Sequence, residues 1–192
     1  FDRNDLIFFS NKGSIMKFND KSKLLWKKNY YTKNEKRLQP ILFFASDQKT
    51  LIVADNITKL YALNINSGEL LWSKNNPSAF NSEIKIYKDQ FFLIDYENIL
   101  RSFSVKDGKE IWNIKTENSI LKSQKKLSLV IKEDKIIFNN SIGDITAVDI
   151  NGNLLWMVPT SKSQNSSSTY FLKMSNLLIE KDSVYFSSNR NE

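Results

Sequence analysis

Ser67-Gly68-Glu69-Leu70-Leu71-Trp72 is a phrase that this chain repeats. Asp107-Gly108-Lys109-Glu110-Ile111-Trp112 and Asn151-Gly152-Asn153-Leu154-Leu155-Trp156 restate it, and Lys21-Ser22-Lys23-Leu24-Leu25-Trp26 carries it with Ser22 in the glycine position. The tryptophans lie 46, 40 and 44 residues apart, and they are the four that the chain contains. A fixed period of roughly 40 to 45 residues is the signature of a repeat architecture.

Each phrase closes a group of short strands. Thr50–Ala54, Lys59–Asn64 and Glu69–Lys74 read as three strands joined by a polar turn and by Asn66-Ser67-Gly68. Gln90–Asp95, Leu100–Val105 and Glu110–Lys115 repeat the pattern around Lys106-Asp107-Gly108. Lys135–Asn139, Ile145–Ile150 and Asn153–Val158 do so around Asn151-Gly152. Asn-Gly and Asp-Gly between alternating apolar runs are strong hairpin signals. One further strand precedes each group, at Pro40–Ser46, Glu83–Tyr87 and Leu127–Lys132. No longer segment sustains a helical period.

The fold class is therefore all-β: a β-propeller of four-stranded antiparallel blades. Blades fall at about 1–29 (partial), 40–75, 83–116, 127–158 and 171–192 (partial). The first lacks its leading strand, and the last has two strands, Phe171–Glu180 and Ser183–Ser188. Three full blades and two partial ones form one partial propeller domain, an open fragment of a larger ring, and total blade number is not legible.

Composition removes several chemistries. Without cysteine there is no disulfide, thiolate nucleophile or Cys-ligated metal. Without histidine the commonest general base and transition-metal ligand are gone. No apolar run reaches the roughly 18 residues of a membrane-spanning helix. Residue 1 is Phe, and no charged-then-apolar leader opens the chain. The net charge of +7 concentrates at residues 20–37, where seven basic side chains meet Asp20 and Glu35. Interleaved with a strand pattern, those lysines read first as solubilising edge charges, and second as a patch for an acidic partner.

Tyr61-Ala62-Leu63-Asn64 with Ser67-Gly68 and Trp72 resembles the PQQ-like, quinoprotein-type β-propeller repeat, Ala-x-Asp-x-x-Thr-Gly-x-x-x-Trp. Ala147, Asp149, Gly152 and Trp156 match it with a turn one residue shorter. Ser102, Ser104, Gly108 and Trp112 are a looser copy, and Asn19 and Trp26 a remnant. The resemblance implies a seven- or eight-bladed ring and gives Trp26, Trp72, Trp112 and Trp156 a structural role as docking residues between blades. Ala62 and Ala147 would make room for a ring, and Gly68, Gly108 and Gly152 would accept positive φ in the turns.

Within the family the chain is most similar to the non-enzymatic BamB-type lipoproteins. That similarity implies a protein-interaction scaffold in assembly of outer-membrane β-barrel proteins, periplasmic, partnered by a membrane β-barrel assembly subunit, and reaching the membrane only through a lipid anchor outside this chain. It implies neither nucleic acid nor cofactor, and assigns no catalytic, cofactor-binding or metal residue. The alternative is a PQQ-dependent dehydrogenase using PQQ with Ca²⁺, whose cofactor site lies outside this chain or is incomplete in it. A luminal domain of the eukaryotic secretory pathway is a third reading, for which the sequons at Asn56, Asn139 and Asn165 would matter.

Asp95-Tyr96-Glu97-Asn98 is the one acidic cluster on a tight connection. It reads as a polar turn ahead of a site for a hard cation. Asp47, Asp55, Asp89, Asp107, Asp134 and Asp144 are likewise explained by turn chemistry. Long connections at about 29–39, 76–82, 116–126 and 159–170 gather on one face, where binding usually lies. The first carries the interaction candidates Tyr30, Tyr31, Lys36 and Arg37.

Overall fold

The computed structural model describes residues 5–117, 125–159 and 176–187. The Ser-rich stretch Ser161–Thr169, the sequon at Asn165 and most of the last two connections lie outside them. The chain divides into two compact units, Phe1–Phe80 with Val105–Gly108, and Asn81–Ser104 with Lys109–Glu192.

The first unit holds two sheets. One contains β1 (Leu6–Phe9), β2 (Ser14–Phe18) and β3 (Leu24–Asn29) in that order. The other contains β4 (Leu42–Ser46), β5 (Thr50–Asp55), β6 (Lys59–Asn64) and β7 (Leu70–Asn75), again in chain order and antiparallel. Between β3 and β4 stands a helix of five residues, α1 (Lys33–Arg37). The core gathers Ile15, Trp26, Tyr31, Leu42, Leu51, Val53, Tyr61, Leu63 and Ile65. β5 is buried along its whole length because it is paired on both edges and covered on both faces.

The second unit holds the sheet β8 (Lys85–Tyr87), β9 (Gln90–Ile94), β10 (Ile99–Ser104) and β11 (Glu110–Lys115), and the sheet β12 (Leu129–Lys132), β13 (Lys135–Asn139), β14 (Ile145–Asp149) and β15 (Leu154–Val158). A hairpin of β16 (Leu178–Glu180) and β17 (Ser183–Tyr185) follows. Phe92, Ile94, Leu100, Leu127, Leu129, Ile136, Phe138 and Val148 form one core. Ile137, Ile145, Ala147 and Leu177 form another.

Two local devices recur from sheet to sheet. In the turn after the second strand of a full blade, one side-chain oxygen accepts the N–H groups two and four residues on. Asp55 takes Ile57 and Lys59, Asp95 takes Glu97 and Ile99, and Asn140 takes Ile142 and Asp144. Ser10 does the same for Lys12 and Ser14 in the three-stranded sheet. The other device is a β-bulge immediately before each tryptophan. The register steps from Trp26 to Leu24, Trp72 to Leu70, Trp112 to Glu110 and Trp156 to Leu154, leaving Leu25, Leu71, Ile111 and Leu155 unpaired and about half-exposed. A bulge re-aims the side chain that follows it, which is how the spacing Gly-x-x-x-Trp turns each indole out of its own strand.

Candidate functional site

The tryptophans show what the bulge accomplishes. In the first unit, Trp26 donates from Nε1 to the carbonyl of Ile65 at 3.2 Å, and Trp72 to that of Val105 at 3.0 Å. In the second, Trp112 donates to Ile150 at 3.0 Å. Each ring covers a turn glycine in the left-handed region: Gly68 at φ 70, Gly108 at φ 65 and Gly152 at φ 89. A Cβ at those glycines would fall 2.6 to 2.9 Å from the indole, so no other residue fits without displacement. Trp156, 40% exposed, lines a groove with Ile179 and Val184. Ala62 and Ala147 are the direct cross-strand partners of Trp72 and Trp156 in their own sheets, so the small side chain stands beside an indole of the same sheet. Trp26, Trp72 and Trp112 thus share one packing arrangement on a turn glycine, whereas Trp156 stands partly exposed.

The connection from β3 to β4 is built, residue by residue, as a fixed platform. Thr32 caps α1 by accepting from Glu35 N at 3.3 Å, and Glu35 accepts from Thr32 N at 2.6 Å, a reciprocal capping box. Lys36 and Arg37 occupy the last turn, where positive charge suits the helix end. Lys59 of β6 pins the helix from below. Its ammonium pairs with Glu35 at 2.9 Å, donates to the Tyr30 carbonyl at 2.8 Å, and lies 4.8 Å from the centre of the Tyr31 ring. Asn56 accepts from Ile41 N at 2.8 Å and holds the far end.

Tyr31 corrects the sequence reading. It is a core residue, 4% exposed, with its hydroxyl donating to Asp55 Oδ2 at 2.5 Å and its ring edge-on to Tyr61. It lies so close to Gly13 that a Cβ there would stand 2.3 Å from its ring. A side chain so enclosed cannot anchor a partner. Tyr30 is half-buried and spends its hydroxyl on the Gly68 carbonyl. What the platform presents outward is Arg37, with Leu38 63% and Ile41 52% exposed, and Lys36 at its margin. Sequence reasoning placed Leu38 in this connection without making it an interaction candidate, and read Ile41 as part of the strand Pro40–Ser46. The available signal was the capping-box pair Thr32 and Glu35, which fixes where the helix starts and so which residues emerge after it.

Electrostatics follow the burial. Desolvation pushes the Tyr31 hydroxyl far above its ordinary value, with Tyr61 and Asp55 adding to the effect. Burial also raises the Asp55 carboxyl, against hydrogen bonds from Tyr31, Ile57 and Lys59 that partly restore its charge. At Glu35 burial works upward too, but the hydrogen bonds from Lys59 and Thr32 outweigh it and hold the carboxyl below its usual value.

A quinone with Ca²⁺ would need free carboxylates gathered in one place, and the described residues do not fit it. Asp95 gives one oxygen to the turn amides and the other to Arg101 Nε at 2.8 Å, while Arg101 continues to Glu110 at 2.7 Å. Asp47 and Asp55 close their own turns, and Asp134 pairs with Lys88 at 2.8 Å. Among the described residues no three of His, Cys, Asp and Glu come together to hold an ion.

The sequence model of the family described as outer membrane protein assembly factor BamB matches residues 11–192. No curated protein matches the chain in sequence. Among solved structures, BamB from Moraxella catarrhalis superimposes with a TM-score of 0.80 at 14% identity, over 98% of this chain and 59% of that one. The computationally designed Ika8 protein does so with a TM-score of 0.62 at 12% identity, over 100% of this chain and 67% of that one. The quinohemoprotein alcohol dehydrogenase ADHIIG from Pseudomonas putida HK5 gives 0.65 at 12% identity, over 83% of this chain and 33% of that one. These likenesses establish the β-propeller fold. The chain spans about three-fifths of the Moraxella protein's length.

Proposed function

The chain belongs to the family described as outer membrane protein assembly factor BamB, and from that membership we propose that it is a non-catalytic protein-interaction scaffold in the assembly of outer-membrane β-barrel proteins. The observation that carries the reading is the platform between β3 and β4. A capping box, an ion pair and two tyrosine hydroxyls hold it to the sheets, while Arg37, Leu38 and Ile41 stay outward. Preorganised loops on a rigid scaffold bind without paying to order themselves. Arginine is among the residue types that most often anchor an interface.

On this reading the protein works in the periplasm at the outer membrane, tethered by a lipid outside this chain, and its partner is a subunit of the β-barrel assembly machinery. It needs no cofactor. The test is a triple substitution, Arg37→Ala, Leu38→Ala and Ile41→Ser, scored by co-purification with that subunit. Co-purification should fall at least tenfold, about 1.4 kcal/mol or more, with an unchanged melting temperature. Undiminished co-purification would remove the platform from the reading. The rival, a quinone-dependent dehydrogenase, is tested by adding PQQ with Ca²⁺. A stoichiometric bound chromophore would replace the scaffold reading with an enzymatic one.

A further inference from the structure

The basic run at residues 20–37 has one part that the platform does not use, the turn from β2 into β3. Asn19 Oδ1 accepts from Lys21 N at 3.0 Å and from Lys23 N at 2.9 Å, and Asn19 N donates to the Lys23 carbonyl at 3.0 Å. Ser22, at φ 59, closes the turn by donating from its N–H to the Asn19 carbonyl at 3.1 Å. The backbone is thus held while its side chains meet solvent. Lys21, Lys23 and Lys27 are exposed, and Leu24 and Leu25 are each 46% exposed.

This outward setting belongs to the repeat and not to the place of the turn in the chain. In the next sheet of the same unit Trp26 covers Gly68, yet Ser67, Glu69, Leu70 and Leu71 are all exposed. Counted from Trp72, they are the counterparts of Lys21, Lys23, Leu24 and Leu25, so a ring laid on Ser22 in the same way would leave those four outward. Charge is what sets this turn apart. Residues 19–28 hold four lysines and one acid, Asp20. Their counterparts hold acids and bases in equal number: Glu69 with Lys74, and Asp107 and Glu110 with Lys106 and Lys109. Among the described residues no carboxylate pairs with Lys21, Lys23 or Lys27.

We propose that this turn is a contact for an anionic lipid surface: Lys21, Lys23 and Lys27 meet the phosphate-bearing headgroups while Leu24 and Leu25 enter the boundary between headgroups and acyl chains. Unpaired ammonium groups are drawn to an anionic leaflet within about a Debye length. Exposed aliphatic side chains beside them add apolar burial, which a soluble polyanion does not offer. A protein partner fits less well, because lysine is depleted where proteins meet while arginine and aromatic residues are enriched. The exposed residues of the turn include neither of those. Such a contact goes beyond the tether of the scaffold reading and does not depend on that reading.

The chain has no cysteine, so Leu25→Cys and Leu71→Cys each give a single site for an environment-sensitive dye. The protein, purified free of any attached lipid, is mixed with vesicles of phosphatidylcholine, with or without about 30% phosphatidylglycerol. The dye at Leu25→Cys should shift to the blue on the anionic vesicles and stay unshifted on the neutral ones, and the dye at Leu71→Cys should shift on neither. Lys21→Gln, Lys23→Gln and Lys27→Gln together should lower partitioning onto anionic vesicles by about tenfold or more. The same number of changes elsewhere, Lys49→Gln, Lys106→Gln and Lys135→Gln, should lower it far less, and both triple variants should melt as the protein does, since all six lysines are exposed. Equal losses in the two variants would mean attraction by net charge alone and overturn the proposal. So would an unshifted dye at Leu25→Cys. Binding of soluble polyglutamate by the turn without binding to vesicles would give the turn to an acidic protein and overturn it as well. No assembly subunit takes part, so the outcome is separate from that of the co-purification test.

Discussion

Trp72 lies against Gly108 so closely that a Cβ on the glycine would stand 2.6 Å from the indole. The same ring donates to the carbonyl of Val105, three residues earlier, at 3.0 Å. Backbone and side chain therefore specify each other, since the turn must be glycine for the ring to dock. The ring in turn satisfies a carbonyl that the turn leaves open. Gly108→Ala meets both a left-handed φ of 65 and the ring, and should destabilise by about 2 to 4 kcal/mol. Gly68→Ala, at 2.7 Å, should cost nearly as much, and Gly152→Ala, at 2.9 Å, the least of the three. Urea denaturation of the three variants checks the order, and a reversed order would detach the cost from the indole contact.

Thr58 is the reverse case, a residue where the backbone asks for glycine and does not have it. In the equivalent turns Gly13, Asn98 and Gly143 take φ 75, 57 and 102, and Thr58 takes φ 89 with a β-branched side chain. Strain of that kind costs about 1 to 3 kcal/mol, against about 0.5 to 1 kcal/mol of added backbone entropy for glycine. Its carbonyl bond from Asn76 N at 2.8 Å survives substitution. Thr58→Gly should therefore raise stability by about 1 kcal/mol, visible as a higher melting temperature. A lower one would show that the threonine side chain makes a compensating contribution.

The repeated strands were legible because glycine and tryptophan recur at fixed spacing, and because Asn, Asp and Ser announce the turns. The all-β reading held wherever that punctuation was present. α1 escaped because five residues cannot display a helical period, although Thr32 and Glu35 stood at capping-box spacing. Tyr31 was misplaced for a different reason. Its burial depends on the missing Cβ of Gly13 and on Asp55, contacts made across 18 and 24 residues of sequence. Local pattern does not encode such contacts. Leu38 stands in the long connection and Ile41 in the strand Pro40–Ser46, and sequence pattern alone does not show that both point outward.

Asp55 and Glu35 should give opposite pH signatures. Burial raises the Asp55 carboxyl, so the folded state holds its proton to higher pH than the unfolded state does. Its contribution is then fullest below the ordinary carboxylate pKa near 3.8 and declines as pH rises through the folded value. Glu35 is held low by Lys59 and Thr32 against burial. Its contribution is present above the ordinary value and is lost as pH falls through the folded one. Denaturation of the protein, Asp55→Asn and Glu35→Gln across acidic to neutral pH separates the two. The gap between the protein and Asp55→Asn should narrow as pH rises, and the gap to Glu35→Gln should widen. Parallel gaps would contradict both assignments.

Asn98 joins three segments of the second unit and offers the sharpest test of its buried polar network. Its amide donates to the Glu117 carbonyl at 2.9 Å and accepts from Ser141 N at 3.0 Å, from a fully buried position at φ 57. Its own carbonyl accepts from both Thr116 N and Thr116 Oγ1. Asn98→Gly keeps the backbone bonds and the left-handed φ but deletes both side-chain bonds, a loss of about 2 kcal/mol at roughly 1 kcal/mol each. Asn98→Asp keeps an acceptor for Ser141 but turns a buried carboxylate toward the Glu117 carbonyl, which should cost more at neutral pH. A protonated carboxyl can donate to that carbonyl, so Asn98→Asp should recover stability as pH falls, while Asn98→Gly should not. If the two variants respond to pH alike, the Glu117 carbonyl is not held by this side chain.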